Sequence, residues 1–497
     1  MTDSPAVRAV RRTPVVAAAL LLVALAGCAD MSGIGSQARL RDASSLGLGV
    51  APDTAAVPVS RLDSQWWLAF GDTQLNALID QAVAGNPNLQ VAQARLARAQ
   101  ASADIAGAAL KPQVKGDLDL NRQKFNSNYI YPAPLGGSTQ NIGLLQLGAS
   151  WELDFFGKNR SALATAIGAA NAAAADAEAA RVLLASNVAR SYFQWARLND
   201  QLAVAQRTLA QRDETLKLVR DRVSAGLDTR LELRQSEGGL PEARQQIEAL
   251  NEQIALQQHA LDALVGQPNV SASLKPPAIA AVRPMALQAN IPADLLGRRA
   301  DIAAARWRVE AATSDVANAK TQFYPNVNLT AFVGFQSLGF GKLLKSGSEQ
   351  WGVGPAISLP IFEGGRLRAN LRGKSADLDA AVESYNATVL DAVRDAADQV
   401  SSAQSITRQQ AEQRAAQTAA EGAYDIAVQR YRAGLGNYLN VLTAETAVLA
   451  QRRLAVDLAA RALDTQVGLA RALGGGWQPS STTNAAATAS APTAALH

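Results

Sequence analysis

Few residues of this 497-residue chain could do covalent or metal chemistry. It has two histidines and one cysteine, too few for a His/Cys metal cage or a disulfide framework. His259 stands in a heptad-patterned stretch with no second histidine or cysteine near it, so it reads as a surface residue rather than a base or ligand. Paired acids such as Asp213-Glu214 read as a solvated helix face. No catalytic residue, metal site or cofactor is expected, and the chain reads as a non-enzyme. A formal charge of +4 is too weak to argue for nucleic acid as a partner. The one reactive group with a suggestive setting is the Cys28 thiol, which closes the run Leu25-Ala26-Gly27-Cys28.

That setting reads as an address. Residues 1–27 start with a basic stretch (Arg8, Arg11, Arg12) and continue into the apolar run Val15–Ala26, too short to span a bilayer and shaped like a secretory signal. Its Leu-Ala-Gly-Cys ending resembles the lipobox of bacterial lipoproteins. The resemblance implies that Cys28 becomes the first residue of the mature chain, bearing S-diacylglycerol and N-palmitoyl groups. Acyl chains contribute about 0.8 kcal/mol per buried methylene, so several of them tether a protein firmly. Residue 29 is Ala rather than Asp, which in such lipoproteins implies sorting to the outer membrane. Residues 28–59 would then be a lipidated linker.

The rest of the chain is patterned for length. Ala fills roughly a fifth of the positions, well above globular usage. Between Pro134 and Pro241 lie 106 residues without proline, and between Pro360 and Pro479 lie 118 more. An interior proline costs a helix about 3 kcal/mol, so these intervals permit very long helices. In the first, Leu198, Leu202, Ala205, Leu209, Leu216, Val219 and Val223 follow alternating helical steps, with Arg212 the one polar insertion. After Ala225-Gly226-Leu227 the pattern resumes through Leu240, Ala243, Ile247, Leu250, Ile254, Leu261 and Leu264. In the second, Leu439, Leu442, Leu449, Val456, Leu463 and Val467 share a seam interrupted by Thr446 and Arg453. Such narrow seams are of coiled-coil type. They predict helices over about 160–224, 230–265, 365–432 and 438–472, with Gly238-Gly239-Leu240-Pro241 kinking or pausing the second.

Four segments alternate with period two instead: 113–121, 145–154, 326–336 and 351–361. In the second, Leu145, Leu147, Ala149, Trp151 and Leu153 oppose Gln146, Gly148, Ser150, Glu152 and Asp154; in the third, Phe332 breaks the polar face. Such segments fit transmembrane barrel strands and equally an amphipathic sheet in a soluble sandwich. Following a lipoprotein signal, the barrel is the better reading. Phe125, Tyr129, Tyr131, Trp151, Phe155, Phe156, Phe323 and Tyr324 stand where a barrel would want interfacial girdles. Segments 122–140 and 337–350 read as outer loops.

The chain also repeats itself. Leu89–Leu96 lines up with Ile302–Val309 at an offset of 213, and Arg222–Leu227 with Arg430–Leu435 at an offset of 208. Each half reads helix, strand, loop, strand, long helix, tight turn, returning helix. The expected division is a first repeat over 60–285, a second over 286–475 and a disordered tail over 476–497. Four strands cannot close a barrel, which needs about eight. An open sheet would leave backbone groups facing lipid at several kcal/mol each, so membrane strands demand oligomerisation. Strand arithmetic admits two, three or four copies alike.

This layout resembles the TolC-type outer-membrane efflux proteins, most closely the lipoprotein branch represented by OprM and NodT. The resemblance rests on the Cys28 lipobox, Trp66-Trp67-Leu68-Ala69-Phe70-Gly71-Asp72 with Leu75 and Leu78, and Asn86-Pro87-Asn88-Leu89. It rests further on Leu153-Asp154-Phe155-Phe156-Gly157-Lys158, Leu359-Pro360-Ile361-Phe362-Glu363-Gly364-Gly365 and Tyr431-Arg432-Ala433-Gly434. It implies a mainly α fold with a transmembrane β-barrel: a homotrimer with a twelve-stranded barrel in outer-membrane lipid and a coiled-coil tunnel across the periplasm. An equatorial region, here 60–85, 267–297 and the end of the chain, would girdle that tunnel.

The implied activity is passive exit of small toxic compounds. An inner-membrane pump of RND or MFS type would drive it through a periplasmic adaptor (membrane fusion protein). The adaptor would dock at the tips Ala225-Gly226-Leu227 and Ala433-Gly434-Leu435. Relatives often carry an apolar ring at the periplasmic constriction and an aspartate ring four residues on. Leu439 matches the first and Thr443 stands at the second, so the resemblance supplies a gate candidate without its acidic, cation-selective part. Asn440 and Glu445 are nearby polar alternatives, and Leu439 could equally be a plain seam residue. Relatives also open the second repeat with Arg-Pro-Asp, where this chain has Arg299-Ala300-Asp301, implying a different angle for the helix that follows. Two competing functions stay open here: a structural outer-membrane coiled-coil lipoprotein, and an exit duct for type I protein secretion.

Overall fold

The computed structural model describes residues 31–41, 62–285 and 299–477. The expected signal, Cys28 with residues 29–30 and 42–59 of the linker, residues 60–61 and 286–298 of the two repeats, and the tail from 478 onward lie outside them. The described elements run α1 (Thr73–Gly85), α2 (Pro87–Ala108), β1 (Gln113–Lys124), β2 (Thr139–Glu152), α3 (Lys158–Ser224) and α4 (Arg230–Val265). They continue as α5 (Ala300–Thr321), β3 (Asn326–Leu338), β4 (Glu349–Ser358), α6 (Arg366–Arg432) and α7 (Tyr438–Ala472). The halves match in length: α2 and α5 have 22 residues each, α3 and α6 have 67 each, and α4 and α7 have 36 and 35. A helix of that longest class is about 100 Å long. No described helix is apolar and long enough to cross a membrane.

Chain contacts divide the described residues into two compact units that cut across the repeats. The first comprises 31–40, 96–173 and 305–385; the second comprises 41, 62–95, 174–285, 299–304 and 386–477. Each unit therefore takes segments from both sides of the expected boundary near 285. The reason is pairing: neither repeat completes its sheet or its helical packing without the other.

In the first unit the four strands form one antiparallel sheet in the order β1-β2-β3-β4. β2 joins the repeats by pairing with β3, Leu147 opposite Val333 and Trp151 opposite Leu329. The strands are displaced from their expected bounds. β1 continues to Lys124 and β2 starts at Thr139 because those two residues are register partners. β2 stops at Glu152, since Asp154 turns to accept the backbone N–H groups of Asn159 and Arg160 and so caps α3. β4 stops at Ser358, short of Pro360, which has no N–H to give a ladder. Residues 31–40 are laid against α6. Met31 and Ile34 pack on the cluster of Val316, Phe323, Leu367 and Leu371, while the Gln37 and Ala38 backbone N–H groups donate to Asp379.

The second unit holds the largest apolar core. Trp66, Trp67, Phe70, Leu75 and Leu78 pack with Tyr192, Phe193 and Trp195 of α3, Leu261 and Val265 of α4, and Leu463 and Val467 of α7. Asp72 caps α1 by accepting from Gln74 and Leu75, and takes the Tyr192 hydroxyl at 2.8 Å. Asn86 does the same for α2 while its side-chain amide donates to the Leu264 carbonyl at 2.8 Å. At the start of α5, Arg299 bridges Asp301 at 2.7 Å and Asp395 at 3.4 Å. The pause expected at Gly238, Gly239 and Pro241 as the alternative to a kink does not occur: the α4 helix runs through them, and Arg212 donates to the Gly239 carbonyl at 2.8 Å. The first two residues assigned to the tail also belong to this unit: Gly476 lies against the Asp63 backbone, and Trp477 is half-buried.

Candidate functional site

The first functional element is the sheet. One face carries Val114, Leu118 and Leu120 of β1, Leu145, Leu147 and Trp151 of β2, Leu329 and Val333 of β3, and Trp351, Val353 and Ile357 of β4. Register makes these one continuous apolar surface, yet Trp351 is 77% exposed and Val114 71%. A soluble sandwich would bury that face in its core, and here it is bare. The opposite face bears Asp117, Gln146, Thr330 and Gln350, with Gln350 donating to Gln146 at 3.2 Å. Phe332 is on this polar face because its register neighbours Gly148 and Gly352 make room: a Cβ on Gly352 would fall 2.6 Å from the ring. Among the described residues, the outer edges of β1 and β4 pair with no strand.

The aromatic positions divide. Trp151 is partly exposed and donates its indole N–H to the Leu110 carbonyl at 3.0 Å. Phe155 is exposed, and Phe156 stacks on Tyr324 with centroids 4.9 Å apart, a girdle-like group. Phe125 and Phe323 do not fit the girdle reading. Phe125 is buried against Tyr131, and Phe323 belongs to the core beneath Leu367 and Leu371.

The second element is the pair of turns that join the long helices. Each ends its helix by a Schellman arrangement: Leu227 donates to the Arg222 carbonyl and Gly226 to Val223, and Leu435 donates to Arg430 and Gly434 to Tyr431. This geometry requires positive φ, and Gly226 and Gly434 supply it at 73° and 77°. Leu227 and Leu435 are left 65% and 70% exposed, and Ala225 and Ala433 are exposed beside them. Behind the turns lies a polar link. Asp228 accepts from Arg222 Nε at 2.9 Å and Nη2 at 3.3 Å and from the Tyr431 hydroxyl, while the guanidinium lies 4.6 Å from the centre of the Tyr431 ring. Burial pushes the Asp228 carboxyl up, but Arg222 and Tyr431 outweigh it and hold the group below the usual carboxylate range.

The gate candidates sit on the open side of α7. Leu439 is 60% exposed, and Thr443, one turn on, is exposed with its hydroxyl donating to the Leu439 carbonyl. The packed face is instead Tyr438, Val441, Glu445 and Val448, so Leu439 is not part of the buried seam. Asn440 is exposed as well. Glu445 is no lumen candidate: it is buried and bridges Arg212 at 2.8 Å, and Arg212 also holds Glu242 at 2.8 Å. The Arg212 insertion in the α3 pattern is thereby explained as an ion-pair hub. His259 is exposed, and no metal-holding cluster occurs among the described residues. Sequence reasoning missed both the Arg222–Asp228–Tyr431 link and the Arg212 hub. The one visible signal was asymmetry between repeats, since Asp228 and Val223 correspond to Gly436 and Tyr431.

An open sheet greased on one face, with no partner for either edge among the described residues, in a chain with two exceptionally long helices, defines a subunit of an oligomeric membrane channel. The outer membrane efflux protein family matches residues 78–267 and 291–475. The fusaric acid resistance protein FusA of Burkholderia cepacia is 38% identical over 382 residues, 75% of this chain and 71% of that one. The multidrug resistance outer membrane protein MdtP of Escherichia coli is 34% identical over 430 residues, 84% and 87% of the two chains. The crystal structure of the Vibrio cholerae outer membrane protein VceC aligns with a TM-score of 0.80 at 37% identity, covering 84% of this chain and 100% of that one. The chain belongs to the outer membrane efflux protein family. It is a non-enzymatic outer-membrane efflux channel of the multidrug and toxin resistance type, and its barrel closes only in the trimer.

Proposed function

We propose that the channel is the outer-membrane part of a tripartite system, a passive exit duct through which a separate inner-membrane pump of RND or MFS type expels small toxic compounds. The observation that carries this reading is the four-stranded sheet with its bare apolar face and two unpaired edges. In a homotrimer those edges find partners, and a polar lumen results. Relatives named for resistance to fusaric acid and to multiple drugs favour small molecules over secreted proteins as cargo.

A periplasmic adaptor docks on the tips. Leu227 and Leu435, the exposed apolar residues at the two turns, with Ala225, Gly226, Ala433 and Gly434 beside them, offer it matching knobs. Three Leu439 side chains narrow the lumen, and the Arg222–Asp228–Tyr431 link holds the tips in place until the adaptor biases them to open, a two-state change. Cys28 carries the lipid. Only two residues separate it from Met31, which packs beside Leu367 at the start of α6, so a span of at most about 11 Å joins the acyl chains to the packed segment. Three experiments test the whole. Purified trimers should give conductance steps in a planar bilayer, and deletion should raise intracellular drug accumulation. Trimers that insert and never conduct would refute the duct. Replacing Cys28 with Ser should abolish labelling by radioactive palmitate, and retained label would refute the anchor.

A further inference from the structure

We infer that the tip of the duct favours organic anions, because one helical position of α7 lines it with Leu439, Thr446 and Arg453. This inference rests on the reading of Leu439 as a gate residue. The three residues are spaced by seven and so share a heptad position. All three are exposed, as are Asn440, Thr443, Ala447, Ala450 and Leu454 around them. The seam pattern in the sequence counted Thr446 and Arg453 as flaws. They are instead members of an uncovered stripe that begins with the gate candidate.

The charge on that stripe is uneven. Glu445 is the one carboxylate between Tyr438 and Val456, and it is turned inward and bound to Arg212. Arg452 is likewise turned inward, bridging Glu421 at 3.1 Å and donating to Gln211 at 3.0 Å. Arg453, its neighbour, has no ion pair or hydrogen bond among the described residues. The equivalent position of the first repeat, at the offset of 208, carries Leu231, Gly238 and Gln245, all exposed and uncharged. Both repeats thus present a leucine at the first level, and only the second adds a charge. In a trimer this makes a ring of three guanidinium groups, each without an ion-pair partner among the described residues of its own chain, about 21 Å along the helix from the Leu439 ring. Rings of Arg or Lys favour anions in pores, as carboxylate rings favour cations. The separation exceeds twice the Debye length of about 8 Å, so the ring acts on solutes that reach it rather than on the leucines. A small carboxylate with an apolar body suits both levels: its body passes the leucine ring and its carboxylate pairs with a guanidinium.

The experiment is the reversal potential of single trimers across a KCl gradient, and again with benzoate replacing chloride. It is run on the natural sequence and in an Asp228→Ala background, so that a closed tip cannot silence the measurement. The expected result is an anion-preferring potential with either anion, drawn toward zero by Arg453→Gln and inverted to cation preference by Arg453→Glu. Thr443→Asp should shift it in the same direction as Arg453→Glu. A cation-preferring natural channel, or an Arg453→Glu variant with an unchanged potential, would overturn the inference while leaving the duct standing. Folded trimers that conduct in neither background would sink the duct reading, and the inference with it.

Discussion

Replacing Asp228 with Ala should unlatch the helical tips. Asp228 belongs to the turn between α3 and α4, and it gathers Arg222 from α3 and Tyr431 from the end of α6. It therefore ties one helical hairpin to the other. Both partners of the ion pair are only 11% exposed, so water screens the pair weakly. A hydrogen bond to a charged group contributes about 1.5–3 kcal/mol, and removing one member of a buried pair costs about 3–5 kcal/mol. Arg222 lies beside the tip and regains some hydration once released, which argues for the lower end, about 2 kcal/mol per subunit. Three subunits then total about 6 kcal/mol, enough to move an equilibrium from about 1:99 to 99:1. The α4 helix keeps its cap, because Thr229 and Glu232 form the capping box without Asp228. Single-channel recording should accordingly show a channel that is closed most of the time become open most of the time, with trimer assembly unchanged. Tyr431→Phe, which deletes one hydroxyl, should fall between. A variant with the open probability of the natural protein would refute the assignment of the link as a latch.

Three further outcomes follow from the same geometry. The Asp228 carboxyl is held below its ordinary value, so the stabilisation it brings is complete above about pH 4 and is lost as pH falls through the folded-state value; open probability should be flat from about pH 7.5 to 5 and rise only in stronger acid. Gly226→Val and Gly434→Val force an L side chain into left-handed backbone at a cost of about 1–2 kcal/mol each; drug export should fall while trimers persist in native gels, and unimpaired export would count against docking at these turns. Glu445→Ala leaves Arg212 without its buried partner and should destabilise the helical region by about 3 kcal/mol, read as a lower melting temperature by circular dichroism. Adding Arg212→Met to that variant should recover most of the loss, and a double variant no more stable than the single one would argue against the hub.

Much of the architecture was legible because its signals are local. Proline-free intervals and heptad spacing located α3, α4, α6 and α7, and period-two alternation located the four strands. What failed were features decided across the chain. Lys124 joins β1 because Thr139 lies opposite, and nothing along β1 alone announces it. Phe125 and Phe323 look like girdle aromatics by position, yet neighbours distant in sequence cover them. The motifs that carry the family resemblance prove to be joints: Asp72, Asn86 and Asp154 each cap a helix. The α7 seam is misplaced by one step only in its turn-side half, for Leu463 and Val467 at its far end are in the core as the spacing predicts. Its apolar signal is diluted by Ala and Thr, and the face that packs, Tyr438, Val441, Glu445 and Val448, includes a carboxylate that only Arg212, 233 residues away, makes tolerable. An ion pair of that separation leaves no trace in hydrophobic periodicity.

The two repeats differ where motion is proposed. A strictly duplicated chain would give a trimer six equal hairpins and six equal tips, and any latch would join like to like. Here the first turn has Asp228 where the second has Gly436, and the end of α6 has Tyr431 where the end of α3 has Val223. Carboxylate and phenol therefore sit on unlike hairpins, and each subunit can make the link only once. Six hairpins thus become three latched pairs. Releasing Asp228 frees one hairpin of each pair relative to the other while the Arg212 hub, which holds Glu242 of α4 and Glu445 of α7 together, still restrains both. Opening should consequently be confined to the turns beyond Arg212, and disulfide pairs engineered across α4 and α7 should block it when placed on the turn side of that hub but leave it intact when placed behind it.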